Sequence, residues 1–173
     1  MEIRRLESGD REVLARFLER VPDGDRTFFK EDVEDTAVVD AWLRPGPARV
    51  VAVADGDVVG WMSVVPFHGW SGHVGEVRLI VDPARRGQGI GRALARRAVV
   101  EALDLGLEKM VVEVIAAQEP TIAMFRSLGF DPEALLADHV RDQAGEVHDL
   151  MILSHSVQEQ WSSMIRAGIA GEV

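Results

Sequence analysis

The sequence predicts an α/β (α+β) domain, with a mixed, mostly antiparallel sheet and flanking helices. Three observations predict it. An apolar strand, Val74 to Val81, is stopped by Asp82-Pro83 and hands over through Arg86-Gly87-Gln88-Gly89-Ile90-Gly91 to a segment in which Ile90, Leu94, Ala98, Ala102 and Leu105 recur at helical spacing. Asp55-Gly56-Asp57 and Gln143-Ala144-Gly145-Glu146 each separate two strand-like runs, which is a hairpin signal and implies antiparallel pairs. With 173 residues and 47% hydrophobic content the chain is long enough for one sizeable core and short for two.

The elements follow in order. Ile3-Arg4-Arg5-Leu6 reads as an edge strand, and Ser8 or Asp10 is placed to cap a helix running to about Arg20. Pro22-Asp23-Gly24-Asp25 is a turn cluster. A short helix covers Thr36 to Leu43 and ends at Arg44-Pro45-Gly46-Pro47. Arg49 to Ala54 and Val58 to Pro66 form the first hairpin; Ala134 to Asp142 and Val147 to Ser154 form the last. The expected domain is 1–155. Residues 156–173 are expected to add a C-terminal extension with a helix over Gln158 to Ala167, whose Trp161 suits core packing or a homodimer contact. No repeat, low-complexity tract or dividing linker interrupts the chain.

Composition narrows the function. The absence of cysteine removes disulfides, a thiolate nucleophile and cysteine-based metal sites. Twenty-nine acidic against nineteen basic residues give a net charge of −10, which disfavours nucleic acid or an anionic membrane as partner and suits cationic substrates. No apolar run is long enough to span a bilayer and no signal-like core follows Met1-Glu2-Ile3-Arg4-Arg5, so the expected compartment is cytoplasmic.

The glycine loop carries most of the chemistry. Amides of a glycine turn at a helix N-terminus point outward, and the helix dipole adds roughly half a positive charge there, so the site suits a phosphate or pyrophosphate. A Walker loop needs Gly-Lys-Ser/Thr at its end, and Gly91 is followed by Arg92-Ala93. A dinucleotide fingerprint beginning at Gly87 needs glycine where Arg92 stands. Arg85, Arg86 and Arg92 flank the loop and favour a polyphosphate through charge-assisted bonds, while Arg96 and Arg97 read as a solvated helix face.

What remains, Arg-x-x-Gly-x-Gly after a strand, resembles the acyl-CoA pyrophosphate loop of the GNAT superfamily of N-acetyltransferases. The resemblance continues in order. Val77-Arg78-Leu79-Ile80-Val81-Asp82-Pro83 is similar to the family's fourth strand, Met110 to Ala116 to its fifth, and Ala123-Met124-Phe125-Arg126-Ser127-Leu128-Gly129-Phe130 to its helix ending in Gly-Phe. It implies about seven strands and about four helices. It also implies acetyl-CoA as co-substrate and direct attack by a neutral primary amine, from a small molecule or a protein lysine, within a ternary complex. By this resemblance Arg86, Gly87, Gln88, Gly89, Ile90, Gly91 and Arg92 hold the pyrophosphate, and backbone groups of Leu79, Ile80 and Val81 line the pantetheine arm. Many members carry a tyrosine four residues ahead of the glycine of Gly-Phe to protonate the leaving thiolate; here Phe125 stands there, and the chain has no tyrosine. That departure favours an alternative, a non-catalytic acyl-CoA-binding sensor or interaction module.

Glu76 is the expected general base, because a carboxylate in an apolar strand is costly unless paired, exposed or functional. Its bland alternative is an ion pair with Arg78, which points the same way from the strand. Glu113 is a lesser candidate. The histidines, His68, His73, His139, His148 and His155, read as surface or hydrogen-bonded residues, and no pair has zinc-like spacing, so no metal is expected. Asp23 to Glu31 mixes Phe28 and Phe29 with several carboxylates, as suits an acceptor loop; the alternative is that the aromatics anchor it on the core. Trp61, Met62 and Trp70 carry the same ambiguity.

Overall fold

The computed structural model describes residues 1–26, 29–142 and 144–157. The elements are β1 (Glu2–Arg5), α1 (Arg11–Arg20), α2 (Asp23–Arg26), α3 (Thr36–Trp42), β2 (Ala48–Ala54) and β3 (Asp57–Pro66), then β4 (Val74–Val81), α4 (Ile90–Asp104), β5 (Lys109–Ile115), α5 (Glu119–Arg126), β6 (Asp131–Arg141) and β7 (Val147–Ser156). The seven strands make one sheet in the order β1-β2-β3-β4-β5-β7-β6. Every neighbouring pair is antiparallel except β4 and β5. The β2–β3 hairpin turns on Asp55 and Gly56, both left-handed at φ 55° and 82°, as a primed turn requires. β4 and β5 are joined by the α4 crossover that a parallel pair needs.

The parallel pair is short. Val74, Gly75 and Glu76 face Lys109, Met110 and Val111, and there the mutual register ends. Beyond Glu76, β4 stays bonded to β3 as far as Val81 opposite Gly60, while β5 stays bonded to β7 as far as Ile115 opposite Leu150. The sheet therefore opens between the C-terminal halves of β4 and β5.

Two cores cover its faces. On one, α4 sets Leu94, Ala98 and Val99 against Met62, Val64, Val77, Met110 and Leu153, with Phe125 and Phe130 completing the cluster. On the other, Leu14 and Phe17 of α1, Phe29, and Trp42 of α3 pack on Val51, Trp61 and Ile80. Val77 and Ile80 serve opposite faces, as strand alternation dictates.

Several local expectations are corrected. Asp10 gives α1 no side-chain cap, because its carboxylate accepts two bonds from Arg4 (2.6 and 2.7 Å) and one from the Glu7 amide (2.8 Å). The 22–25 cluster leads into a single helical turn, α2. Leu105 lies just past α4 and is exposed. β6 begins at Asp131, ahead of the expected Ala134; its Pro132 is tolerated because β6 is an edge strand. Arg97 is no idle surface charge, since it bonds the fully buried Glu101 at 2.9 Å. β7 runs through Ser156 and Val157 is buried; the expected terminal helix with Trp161 lies outside the described residues, as do Phe28 and Gln143.

Candidate active site

Asp82 ends β4 and builds the turn into the glycine loop. Its carboxylate accepts from the Ala84 amide (2.9 Å) and from Arg20 Nε (2.9 Å), and its carbonyl accepts from the Arg85 amide (2.8 Å). Arg20 also donates to the Val58 carbonyl (2.8 Å), tying this corner to α1 and β3. Gly87 and Gly89 are both left-handed, φ 75° and 81°, a conformation that costs other residues about 1–2 kcal/mol. The first intrahelical bond of α4 runs from the Ala93 amide to the Gly89 carbonyl (3.0 Å). The amides of Ile90, Gly91 and Arg92 precede it and form a helix N-terminus. Gly91 lets the first turn of α4 sit close to α5 and β4: a Cβ there would stand 3.3 Å from Met124 Sδ.

This cradle forms one end of a cleft of about 620 Å³ that follows the gap between β4 and β5. Its volume lies in the range of small-molecule sites. Val77 to Val81 form one wall, Val112 to Val114 the other, and Thr121, Met124 and Phe125 of α5 close the side. Phe125 is buried, with its ring 5.2 Å from that of Phe130.

Charged side chains fill the far end. Glu76, 4% exposed, is the last β4 residue paired with β5. Its Oε1 lies 2.6 Å from Lys30 Nζ and its Oε2 accepts from Arg78 at 3.0 and 3.1 Å. The same Lys30 Nζ is 2.8 Å from Glu113 Oε2. Arg78 also donates to the Phe29 carbonyl (3.3 Å) and to Glu31 (3.2 Å). Lys30 is itself left-handed, φ 61°. Burial works against its ammonium, but hydrogen bonds and charge from Glu113 and Glu76 outweigh that and raise its pKa.

The structure brings Glu76, Leu79, Ile80, Val81, Arg86, Gly87, Gly89, Ile90, Gly91, Arg92 and Phe125 onto one cleft; Gln88 is exposed and stays out of its wall. The Glu76–Arg78 pair is present, and Lys30 joins it. Phe29 turns out to be an anchor, its ring tilted against those of Trp42 and Trp61 at 5.6 and 5.2 Å, while its neighbour Lys30 reaches the cleft. None of the five histidines lines it, and Trp70 is 97% exposed on the β3–β4 loop. Arg86 is already paired with Asp25 of α2, and Arg92 donates to Ser127 Oγ (2.8 Å). The contacts of Lys30 and Asp25 escaped sequence reasoning because they join distant segments; the one local hint was the charge in that loop.

The family model for the acetyltransferase (GNAT) family matches residues 12–130. The chain belongs to that family. It is an acyl-CoA-dependent N-acetyltransferase, and the expected fold of the family is the fold described above. Over 135 residues it is 27% identical to an uncharacterized N-acetyltransferase, YjgM, of Escherichia coli K12, covering 75% of this chain and 81% of that one. Over 92 residues it is 34% identical to mycothiol acetyltransferase of Pseudarthrobacter chlorophenolicus, covering 51% of this chain but only 28% of that longer protein. Among solved structures, a ribosomal-protein-alanine N-acetyltransferase from Brucella melitensis aligns with TM-score 0.74 and 26% identity over 90% of this chain and 98% of that one. At 22% identity and TM-score 0.73, yncA of Salmonella typhimurium, solved with its cofactor acetyl-CoA, shares the fold over 91% of this chain and 94% of that one.

No described helix is long and apolar enough to cross a membrane. Among the described residues one trio of metal-type ligands converges, Asp142, Glu146 and His148, on the β6–β7 turn. Asp142 is already engaged there: it lies 2.8 Å from His148 Nε2 and accepts from the Glu146 backbone amide at 2.9 Å.

Proposed function

We propose that this acetyltransferase acts on a small cationic amine. In this reading the amides of residues 87–92, with Arg86 and Arg92, hold the acetyl-CoA pyrophosphate. The free edge of β4 along Leu79, Ile80 and Val81 lines the pantetheine arm, Phe125 packs against it, and Glu76 receives the acceptor's proton. The observation that carries the reading is the position of Glu76. It stands where β4 and β5 part, so the gap that suits a thioester and the carboxylate that suits an ammonium meet in one cleft. The glycine cradle at the other end fits an anion by the free amides that open α4.

Both Glu76 oxygens are engaged by cations, so an acceptor ammonium reaches Oε1 by taking the place of Lys30 Nζ. Glu113 adds a second acceptor at the same point. Once Lys30 is displaced, two carboxylates face the acceptor with Arg78 offsetting one of them, and the remaining negative charge favours a cation, in keeping with the acidic composition. The relatives named for mycothiol and the ribosomal-protein alanine differ widely in acceptor, and the reading for this chain rests on its own charges.

The test combines a thermal-shift screen with CoA-thiol release over a panel of amines. Acetyl-CoA at a hundred times its dissociation constant is expected to stabilise the fold by about 2.7 kcal/mol. Polyamines and other di-cations are expected to outperform neutral or anionic amines. A preference for anionic acceptors would overturn the assignment of Glu76 and Glu113.

A further inference from the structure

We propose that Lys30 is a self-acetylation site: its ε-amine occupies the acceptor position of the cleft, between Glu76 and Glu113, and takes an acetyl group from bound acetyl-CoA when no outside amine is present. The proposal rests on the cleft being the acyl-transfer site, as inferred above, and adds a substrate that the protein carries within itself.

Four observations converge on Lys30. Its Nζ is 2.6 Å from Glu76 Oε1 and 2.8 Å from Glu113 Oε2, the arrangement expected of a bound acceptor ammonium. Lys30 and Glu76 line the same cleft as the free edge of β4 and the glycine cradle. The chain is poor in lysine: nineteen basic residues include only two lysines, Lys30 and Lys109. A lysine kept in the cleft of a chain otherwise built on arginine provides the one side-chain amine able to accept an acetyl group there, since a guanidinium holds its proton. Lys30 is also held in the left-handed region, a costly conformation for a residue with a side chain and one that marks functional positions.

The chemistry balances. One proton of the Lys30 ammonium passes to Glu76, the freed lone pair attacks the thioester carbonyl, and an N–C bond forms as the C–S bond breaks. The departing thiolate takes a proton from solvent to give CoA thiol, while the second proton lost by the nitrogen and the one held by Glu76 pass to solvent, so one proton is released in all. The product amide is neutral, so Lys30 no longer bridges Glu76 and Glu113. The event is a single turnover per chain.

Lys109 supplies an internal control. Its side chain is 36% exposed, close to the 41% of Lys30, and it is likewise paired with a carboxylate, Glu133, at 2.6 Å. The full-length protein is incubated with acetyl-CoA and no amine, and the modified position is read by intact-mass and tandem mass spectrometry. The proposal expects one acetyl group per chain, on Lys30, at a rate at least about tenfold above that on Lys109, because a bound donor presents the thioester at high effective concentration. Excess free CoA should suppress it by competing for the cleft, and Lys30→Arg should abolish it. Equal labelling of both lysines, insensitive to free CoA, would mean chemical acetylation from solution and overturn the proposal. Turnover of outside amines with Lys30 left unmodified would also overturn it while leaving the functional reading intact. Absence of both acetyl-CoA binding and amine turnover would take down the two together.

Discussion

Glu76 is buried among charges, and each partner has a measurable consequence. Replacing it by Gln keeps the shape but removes the proton acceptor; turnover is expected to fall by a factor of about 10² while acetyl-CoA affinity holds. Steady-state kinetics and a donor titration on the same sample separate the two. Equal loss of stability and activity would assign Glu76 to the ion-pair network alone. Asp10 offers a purely structural contrast. Arg4's hydrogen bonds, opposed by burial and helped by the Glu7 amide, hold its carboxyl below the ordinary carboxylate range. The folded group thus titrates below the unfolded one, so its stabilisation is fully present above about pH 4 and fades as pH falls through the folded value. Asp10→Asn should therefore cost about 1.5–3 kcal/mol at pH 7 and progressively less towards pH 2. Denaturant melts at several pH values check this; a cost that did not shrink in acid would deny the linkage. Glu76 was legible as an oddity in an apolar strand. Its Lys30 partner was not, because no local pattern records that the loop after α2 folds back over β4 and β5.

At the scale of elements, legibility followed the strength of local signals. β4, the start of α4 and the β2–β3 hairpin stand where an apolar run stopped by Asp-Pro, a glycine turn and Asp-Gly placed them. Asp10 misled because a residue suited to cap a helix was claimed instead by Arg4 on β1. The short β4–β5 register, which opens the cleft, leaves no mark in the local pattern. Close seating of α4 on the sheet is equally invisible in local pattern. A Cβ on Gly60 of β3 would lie 2.9 Å from Leu94 Cδ1 and 3.1 Å from Ile90 Cγ2. Ile90 is β-branched and stiff, and it is the first residue of the helix whose leading amides form the cradle. Gly60→Ala should then do two things: lower stability by about 1–3 kcal/mol through overpacking, and weaken acetyl-CoA binding as the first turn of α4 is pushed outward. Calorimetric titration beside a thermal melt tests both. Lost stability with unaltered donor affinity would mean that Leu94 absorbs the strain and the cradle does not depend on this contact.

Across the whole molecule the missing residue types constrain the reaction as firmly as those present. With no tyrosine and no cysteine, the side chains whose ordinary titration falls near pH 8 to 10 are absent from the chain. Phe125 occupies the position where the family resemblance places a tyrosine acid, buried against Phe130. The leaving group tolerates this loss. A thiol has a pKa near 8.5, so a CoA thiolate departs without being protonated in the same step, unlike an alkoxide or an amine. Lys30 adds no falling limb within this window. Hydrogen bonds and charge from Glu113 and Glu76 outweigh burial and raise its pKa above the ordinary lysine value, so its ammonium does not titrate between pH 7 and 9. Turnover should thus follow deprotonation of the acceptor amine alone, rising to a plateau between about pH 7 and 9 without the falling alkaline limb that an essential acid imposes. The measurement is kcat across that range at saturating amine, with circular dichroism confirming an intact fold at each pH. A reversible fall above about pH 8.5 in folded protein would require a titrating acid, and the thiolate argument would then fail for this enzyme.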